Sequence, residues 1–253
     1  MQELLVDDAD GVRTITINRP DAKNALTTAM RARLCELLSE TERDPAVKAV
    51  VLTAVDPVFC AGVDFKEVAS GASGWNAHDA QFTVNPGSAL RAMLTPVICA
   101  VNGACVSGGL EIALSSTFVV ASERARFADT HARLGVVATW GLTALLPRAI
   151  GIRRAREMSI TGNFVDADEA LRIGLVNHVV PHEELLDFAR SLANDIADTP
   201  AVAEVLRLYA RGDGMSLAEA LALETDHVTR RSFDPAAFGA AGRSTAARNR
   251  YSS

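Results

Sequence analysis

The chain has 253 residues, and its 25 Lys and Arg against 31 Asp and Glu give a net charge of -6. That length supports one large domain or two small ones, and the lack of a basic block argues against a nucleic-acid-binding protein. No apolar run approaches the roughly 18–20 residues of a membrane helix, and the acidic first residues do not resemble a signal peptide. We expect a cytoplasmic protein whose four cysteines are reduced.

The first half of the chain predicts alternating strands and helices. A strand is predicted for Val12–Asn18, and short apolar runs typical of a parallel sheet covered on both faces begin at Ala49, Val97 and Phe118. A helix begins after Thr27, a residue that suits the N-cap position. One stripe at helical spacing predicts its buried face: Met30, Leu34, Leu37, Leu38 and Thr41.

The second half predicts a different organisation. Residues 70–88 are rich in Gly, Ser, Asn and Pro and predict a loop. From about Gly141 the pattern predicts helices alone, which we place at Ala155–Thr161, Asp166–Ile173, Pro181–Asp198, Ala201–Tyr209 and Leu217–Arg231. The chain is therefore predicted to be an α/β protein in which strands with crossover helices precede a helical segment.

A first candidate site is the segment FCAGVDFK, residues 59–66, which follows the apolar run at Ala49. Gly62 can adopt backbone angles that other residues avoid, which would let the N–H of Val63 point at a ligand oxygen. Lys66 would then be placed to meet a phosphate. The alternative is a plain strand-to-helix turn in which Asp64 caps the helix.

A second candidate is NGACVSGGLE, residues 102–111, between the run at Val97 and an apolar helix. A glycine pair at a helix start leaves free N–H groups that attract a phosphate or a developing oxyanion. The segment is neither a dinucleotide fingerprint, a P-loop nor a nucleophile elbow. Glu111 lies in an apolar stretch, where desolvation would raise its pKa into a range useful for proton transfer; the alternative is compensation of the helix dipole alone.

If one backbone donor from each segment converges on a single carbonyl oxygen, the two form an oxyanion hole. Loss of one such donor typically costs about 3–4 kcal/mol of transition-state stabilisation. This pairing is the sharpest chemical prediction that the residues themselves support.

The two segments, read as FCAGVDFKE and PVICAVNGACVSGGLEIAL, resemble the crotonase (enoyl-CoA hydratase/isomerase) superfamily, and so do NRPDAKNAL, FADTHARLG and DADEALRIGLVNHVV. The resemblance runs over about residues 3–200 and implies an α/β, crotonase-like fold of repeated ββα units with a helical C-terminal segment. We place the core in residues 1–200 and the helical segment in residues 201–253. The resemblance further implies that this segment supports a homotrimer, or a hexamer built from two trimers.

The resemblance also implies a substrate and a set of contacts. Members bind acyl-CoA thioesters and stabilise a thioester enolate with two peptide N–H groups, which here fall at Val63 and Gly108. No cofactor beyond the coenzyme A of the substrate, and no metal, is expected. For Trp140 core packing is an equal alternative to lining the acyl pocket. Contacts with CoA or substrate are implied for Lys23, Ala25, Ala61, Asp64, Phe65, Lys66, Gly109 and Trp140.

The hydratases of this superfamily use two glutamates. The first matches Glu111, whereas the second, in a segment of the form FxxPExxLG, is replaced by His131. Histidine both donates and accepts protons near neutral pH, so a Glu/His pair keeps acid/base chemistry possible. We therefore expect hydratase-type syn addition or elimination of water. The alternatives are a non-catalytic acyl-CoA-binding homologue, or other acyl-CoA chemistry such as isomerisation.

Two further readings of His131 stay open. It is either a catalytic residue or a structural histidine held by neighbours such as Asp129 and Arg133. A serine hydrolase built from Ser107, His131 and Asp129 is the weakest of the alternatives, because the nucleophile-elbow spacing is missing.

Overall fold

A computed structural model describes residues 2–70 and 85–230 of the chain. The chain divides into two compact units, Met1–Leu206 and Arg207–Ser253. In the described residues, no helix is long and apolar enough to cross a membrane. The loop predicted for residues 70–88 lies outside the described residues except at its end, where a helix already begins at Pro86.

The structure contains short strands and mostly short helices. The strands are β1 (Leu4–Ala9), β2 (Val12–Ile17), β3 (Ala49–Ala54), β4 (Val58–Cys60), β5 (Val97–Val101), β6 (Ala104–Val106), β7 (Phe118–Ser122), β8 (Arg126–Ala128), β9 (Val165–Asp166) and β10 (His178–Val180). The helices are α1 (Thr28–Glu42), α2 (Phe65–Ala69), α3 (Pro86–Ala92), α4 (Gly108–Ser115), α5 (Leu142–Ile150), α6 (Ile152–Thr161), α7 (Ala167–Arg172), α8 (Leu185–Asn194), α9 (Pro200–Gly212) and α10 (Leu217–Thr229). Within residues 2–70 and 85–230, short 3-10 turns span Pro20–Ala22, Ala132–Leu134 and His182–Glu184.

The strands form two sheets, and from β3 to β8 successive strands alternate between them. The larger sheet has the order β1-β2-β3-β5-β7-β10 and the smaller one the order β4-β6-β8-β9. Each of the pairs β3–β4, β5–β6 and β7–β8 therefore gives its first strand to the larger sheet and its second to the smaller. Because β4, β6 and β8 run parallel, the segments that follow them emerge at one edge of the smaller sheet. Both candidate segments lie at this edge.

Several predicted elements are confirmed. The strand at Val12 and the three apolar runs become β2, β3, β5 and β7, within two residues of the predicted bounds. Thr27 caps α1 by accepting the Met30 N–H, and the whole predicted stripe of that helix is buried. Sequence reasoning did not place β1, whose residues after Leu4 are exposed, nor the three-residue strands of the smaller sheet.

The prediction of helices alone after Gly141 was wrong. Two strands lie in this half: β9 pairs with β8 in the smaller sheet, and β10 pairs with β7 at the edge of the larger one. They have two and three residues, too few for a period-2 pattern to emerge. The helix predicted for Pro181–Asp198 begins as the 3-10 turn at His182 and ends at Asn194, whereas the other four helices are confirmed.

Packing on both faces of the larger sheet explains its continuous apolar strands. Helix α8 covers one face, and the opposite face belongs to the main core, which includes α1 and α4. The smaller cluster beneath α8 contains Val12, Ala49, Val51, Ile98, Ala100, Val120, Leu185, Ala189 and Ala193. Burial on both faces fixes the strands of this sheet, so the turns that follow them have a rigid support.

We predict that Gly109→Ala separates α4 from the end of β4. A Cβ at Gly109 would lie 2.4 Å from the carbonyl oxygen of Cys60 and 2.9 Å from its Cβ. Urea unfolding should show a loss of about 1–3 kcal/mol, the usual cost of overpacking. The matched control is Gly212→Ala, whose added Cβ meets nothing closer than 3.8 Å and should leave stability unchanged or slightly higher. Equal stability of wild type and Gly109→Ala would contradict the tight packing.

Candidate active site

The turn after β4 is held against the start of α1 by backbone hydrogen bonds. Leu26 donates its N–H to the Gly62 carbonyl at 2.8 Å and accepts the Asp64 N–H at 3.0 Å. Gly62 has a φ of +92°, which glycine adopts without strain. Gly62 and Asp64, the two neighbours of Val63, both bond to Leu26. The N–H of Val63 therefore points to the opposite side of this segment. Among the described residues it has no hydrogen-bond partner.

The side chain of Asn24 holds the neighbouring turn in place with hydrogen bonds. The residue is fully buried with a φ of +53°, a conformation that asparagine tolerates better than most residues. Its amide group donates to the carbonyls of Val55 and Val58, and its oxygen accepts the N–H of Arg19. The asparagine thereby ties the turn at residues 20–24 to the loop between β3 and β4.

The predicted CoA contacts cluster around the same turn. The Lys23 carbonyl accepts the Ala61 N–H at 3.1 Å, and Ala25 follows in the same turn. Lys23 and Lys66 are exposed, and Phe65, the first residue of α2, is 54% exposed. Two exposed lysines and an exposed aromatic residue thus occur on the two chain segments that this hydrogen bond joins.

The Asp64 side chain serves the protein itself, as the alternative interpretation predicted. It caps α2 by accepting the N–H groups of Lys66 and Glu67, and it forms an ion pair with Arg19. Burial alone would raise the pKa of Asp64, but the bond from Arg19 and the two N–H bonds hold it below the usual range. The carboxylate is therefore ionised and engaged inside the fold.

The second turn places Gly108 at the first position of α4. Ser107, immediately before it, has the unusual φ of +48°, a conformation typical of functional turns. The Ser107 hydroxyl lies 2.8 Å from the Thr130 hydroxyl and accepts the Thr130 N–H. This pairing of Ser107 with Thr130, instead of with His131, argues against the serine-hydrolase alternative. The Gly108 N–H has no hydrogen-bond partner in the described parts of the chain.

The two turns touch each other through their glycines. A Cβ at Gly62 would lie 3.1 Å from the nitrogen of Gly108, and a Cβ at Gly108 would lie 3.2 Å from the Cα of Gly62. The Val63 and Gly108 peptide groups therefore belong to adjacent backbone segments. Gly109 packs against Cys60, and the substrate contact predicted for it stays a prediction.

Glu111 lies one turn further along α4 and is 1% exposed. Its Oε1 accepts the N–H of Trp140 at 2.6 Å and that of Leu142 at 3.3 Å, so the side chain satisfies donors at the start of α5. Burial raises the pKa of Glu111 above its ordinary value, although the charge of His131 and the two N–H bonds oppose this. A buried carboxyl with a raised pKa suits general acid/base chemistry.

His131 lies between two carboxylates. Its Nδ1 is 2.6 Å from Oδ1 of Asp129, and its Nε2 is 3.8 Å from Oε2 of Glu111. The structure thus combines the two interpretations, because the histidine is held by Asp129 and also faces the candidate catalytic glutamate. Arg133 takes no part, since it donates to the Thr161 carbonyl and to Asn163.

Trp140 combines core packing with a position in the site. It is buried. Its backbone N–H donates a hydrogen bond to Glu111, and its backbone carbonyl accepts one from Arg91. Its ring lies beside Gly108, where a Cβ would come within 3.0 Å of Cζ3. Arg31, which sequence reasoning missed, lies with its guanidinium 5.9 Å from the centre of this ring. The sequence feature that could have identified Arg31 is its position on the buried side of α1.

Similarity to known proteins agrees with this geometry. A sequence model of the family described as enoyl-CoA hydratase/isomerase matches residues 7–231. The chain is 35% identical over 232 residues to the short-chain-enoyl-CoA hydratase of Clostridium acetobutylicum, covering 89% of this chain and 88% of that protein. It is 36% identical over 206 residues to the 1,2-epoxyphenylacetyl-CoA isomerase of Escherichia coli K12, covering 79% and 78%. A crystal structure of enoyl-CoA hydratase from Mycobacterium tuberculosis H37Rv shares 45% identity and a TM-score of 0.75, covering 90% of this chain and 98% of that one.

Fold and similarity together define a crotonase-like protein with a site for acyl-CoA chemistry. The chain belongs to the enoyl-CoA hydratase/isomerase family. The predicted superfamily and the α/β fold of ββα units are confirmed, and relatives named enoyl-CoA hydratase support a hydratase-type enzyme acting on acyl-CoA.

We predict that Glu111→Gln stabilises the protein at neutral pH. Because the pKa of this buried carboxyl is raised above its ordinary 4.5 in the folded state, its ionisation opposes folding at every pH above that value. Glutamine cannot ionise and still accepts the Trp140 N–H. The gain in unfolding free energy should be largest above the raised pKa, shrink as the pH falls, and vanish below about pH 4.

Urea unfolding of both proteins across this pH range measures the effect. Glu157→Gln, an exposed change on α6, is the control and should give no such trend. A Glu111→Gln variant that is less stable than wild type at pH 8 and equal to it at pH 4 would contradict the assignment.

Proposed function

We propose that this protein adds water across the Cα–Cβ double bond of an enoyl-CoA thioester, and catalyses the reverse elimination, with syn geometry. One observation carries the proposal: the adjacent peptide groups of Val63 and Gly108 have N–H groups without partners among the described residues. They occur on the same structural unit as the acid/base pair Glu111 and His131.

The two N–H groups bind the thioester carbonyl oxygen. When water adds at Cβ, the π electrons move toward Cα and the carbonyl, and negative charge collects on this oxygen. Preorganised donors in a water-poor site stabilise that charge without having to reorient. Gly108 contributes further because it is the first residue of α4, where the helix dipole favours an anion.

Glu111 and His131 hold the water. Their facing atoms, Oε2 and Nε2, are 3.8 Å apart. A water oxygen placed at a normal hydrogen-bond distance of about 2.8 Å from each forms a triangle with that separation. A single water therefore fits between both groups and the substrate double bond.

The proton balance closes within this pair. Glu111, as the carboxylate, removes a proton from the water while the water oxygen bonds to Cβ. His131, as the imidazolium, donates the Nε2 proton to Cα. The pair is left as glutamic acid and neutral imidazole, and transfer of one proton from Glu111 to His131 restores the starting state.

The rest of the substrate extends past the turns. We assign the CoA phosphates to the neighbourhood of the exposed Lys23 and Lys66, and the adenine to the exposed ring of Phe65. Ala25 and Ala61 lie in two turns that are joined by the hydrogen bond from the Ala61 N–H to the Lys23 carbonyl. The Trp140 ring beside Gly108 forms a wall of the acyl pocket.

We predict that Glu111→Gln and His131→Gln each lower kcat with crotonyl-CoA by about 10²–10⁴-fold, the usual contribution of a general acid or base. Acetoacetyl-CoA affinity should change little, because neither side chain binds the carbonyl oxygen. Steady-state rates and calorimetry measure the two quantities, with Glu157→Gln as control. Unchanged turnover in either variant would remove that residue from the mechanism.

We further predict that binding depends on the thioester oxygen. A thioether analogue of CoA that lacks the carbonyl should bind about 10–100-fold more weakly than the matching acyl-CoA, since it loses two hydrogen bonds of about 1 kcal/mol each or more. Calorimetry on the two ligands tests this. Equal affinities would mean that the Val63 and Gly108 donors do not bind this oxygen.

A non-catalytic acyl-CoA-binding protein is the second candidate, favoured by His131 at the position where the hydratases carry a glutamate. It requires tight acetoacetyl-CoA binding with no turnover of enoyl, hydroxyacyl or dienoyl thioesters. Gain of hydratase activity in His131→Glu would support it. Double-bond isomerisation is distinguished in the same assay, because it shifts the double bond without adding water.

A further inference from the structure

We propose that Asp129 is a positioning residue for the acid/base pair: it fixes which nitrogen of His131 carries the permanent proton and aims the other nitrogen at Glu111. The catalytic half of this inference rests on the proposed function, whereas the claim about the imidazole stands on geometry alone.

One carboxylate oxygen of Asp129 contacts two nitrogen atoms of His131. Its Oδ1 lies 2.6 Å from the ring Nδ1 and 3.1 Å from the backbone nitrogen of the same residue. The aspartate is 3% exposed, so this contact is shielded from solvent. A ring fixed at Nδ1 and at its own backbone has little freedom to rotate, and this leaves Nε2 directed toward Glu111 at 3.8 Å.

The ionised form of Asp129 determines the direction of the hydrogen bond. Burial alone would raise the pKa of Asp129, but bonds from His131 and Ser159 hold it below its ordinary value. A carboxylate only accepts hydrogen bonds, so Nδ1 of His131 must carry a hydrogen. Nε2 is then the nitrogen that gains and loses a proton, and it is the one that faces Glu111.

The charged groups around the ring support this assignment. Asp129 and Glu111 face the two nitrogens, while Arg133 on the neighbouring 3-10 turn is directed to Thr161 and Asn163. Ser159 of α6 reaches Asp129 and not the ring. The aspartate is therefore the group that selects the tautomer.

Asp129→Asn separates positioning from a structural role. The asparagine oxygen can still accept the backbone N–H of His131, so the turn is kept. Because a single oxygen serves both contacts in wild type, an asparagine oxygen in that place still accepts from Nδ1, but without the negative charge that strengthens the bond. An asparagine turned the other way donates its amide to an unprotonated Nδ1 and stabilises the opposite tautomer. A residue that only caps the turn would lose nothing in this variant.

The first test is NMR of protein labelled with 15N in its five histidines, with the His131 signals identified by their loss in His131→Gln. Above the pH at which the ring becomes neutral, wild type should show a hydrogen on Nδ1 and none on Nε2. Asp129→Asn should move the hydrogen to Nε2 or give a mixture. Ser159→Ala keeps the carboxylate and should behave as wild type. The same Nδ1 tautomer in wild type and in Asp129→Ala, which removes the acceptor altogether, would overturn the inference.

The second test is kinetic. Asp129→Asn should lower kcat with crotonyl-CoA by about 10²–10⁴-fold, similar to a wrong-tautomer variant. Acetoacetyl-CoA affinity should stay within twofold of wild type. The urea midpoint should fall modestly at neutral pH, because the ionised Asp129, whose pKa is lowered in the fold, stabilises the folded state there. Asp129→Glu, which keeps the charge, should recover part of the rate.

The two proposals fail separately. If wild type turns over and Glu111→Gln abolishes turnover while Asp129→Asn retains full activity, the positioning role is wrong and the hydratase proposal stands. If wild type turns over no thioester, the hydratase proposal is wrong, and the NMR comparison alone decides whether Asp129 sets the tautomer.

Discussion

The carboxylate of Glu111 connects every part of the site. Helix α4 carries it, its Oε1 takes the N–H groups of Trp140 and Leu142 at the start of α5, and its Oε2 faces His131. Burying this group is unfavourable, as its raised pKa shows. The two backbone donors offset part of that cost and fix the rotamer. The same interaction therefore orders α5, places the indole beside Gly108 and keeps a proton-exchanging group in a poorly solvated site.

Sequence reasoning found the elements whose burial leaves a pattern. Helix α1 was recognisable from its stripe and its Thr27 cap, and β5 from an unbroken apolar run that two covered faces require. Strand β1 was not predicted, because only its first residue is buried and its sequence shows no alternation of apolar and polar residues. The strands of the smaller sheet have two or three residues, too few for the period-2 alternation of a strand to repeat. Their existence depends on neighbours far away in sequence.

The features of the site also differ in how far the sequence could predict them. The two glycine turns could be predicted because a tight backbone approach needs glycine, and the contact between Gly62 and Gly108 agrees with that reasoning. The state of His131 could not be predicted in the same way. Its distance to Glu111 arises from residues twenty positions apart in sequence, on different elements. Only the hydrogen bond to Asp129, two residues away, had a local signal.

The contact between the two glycine turns has a consequence for how chemistry in such a scaffold can diversify. The groups assigned to activate the carbonyl are main-chain amides, so no side-chain replacement deletes them without disturbing the backbone. The groups proposed to move protons, by contrast, are ordinary side chains on α4 and on the segment after β8. Activation of the electrophile and delivery of protons are therefore separately encoded. A substitution at position 131 would therefore alter the proposed proton delivery and leave the proposed carbonyl donors in place.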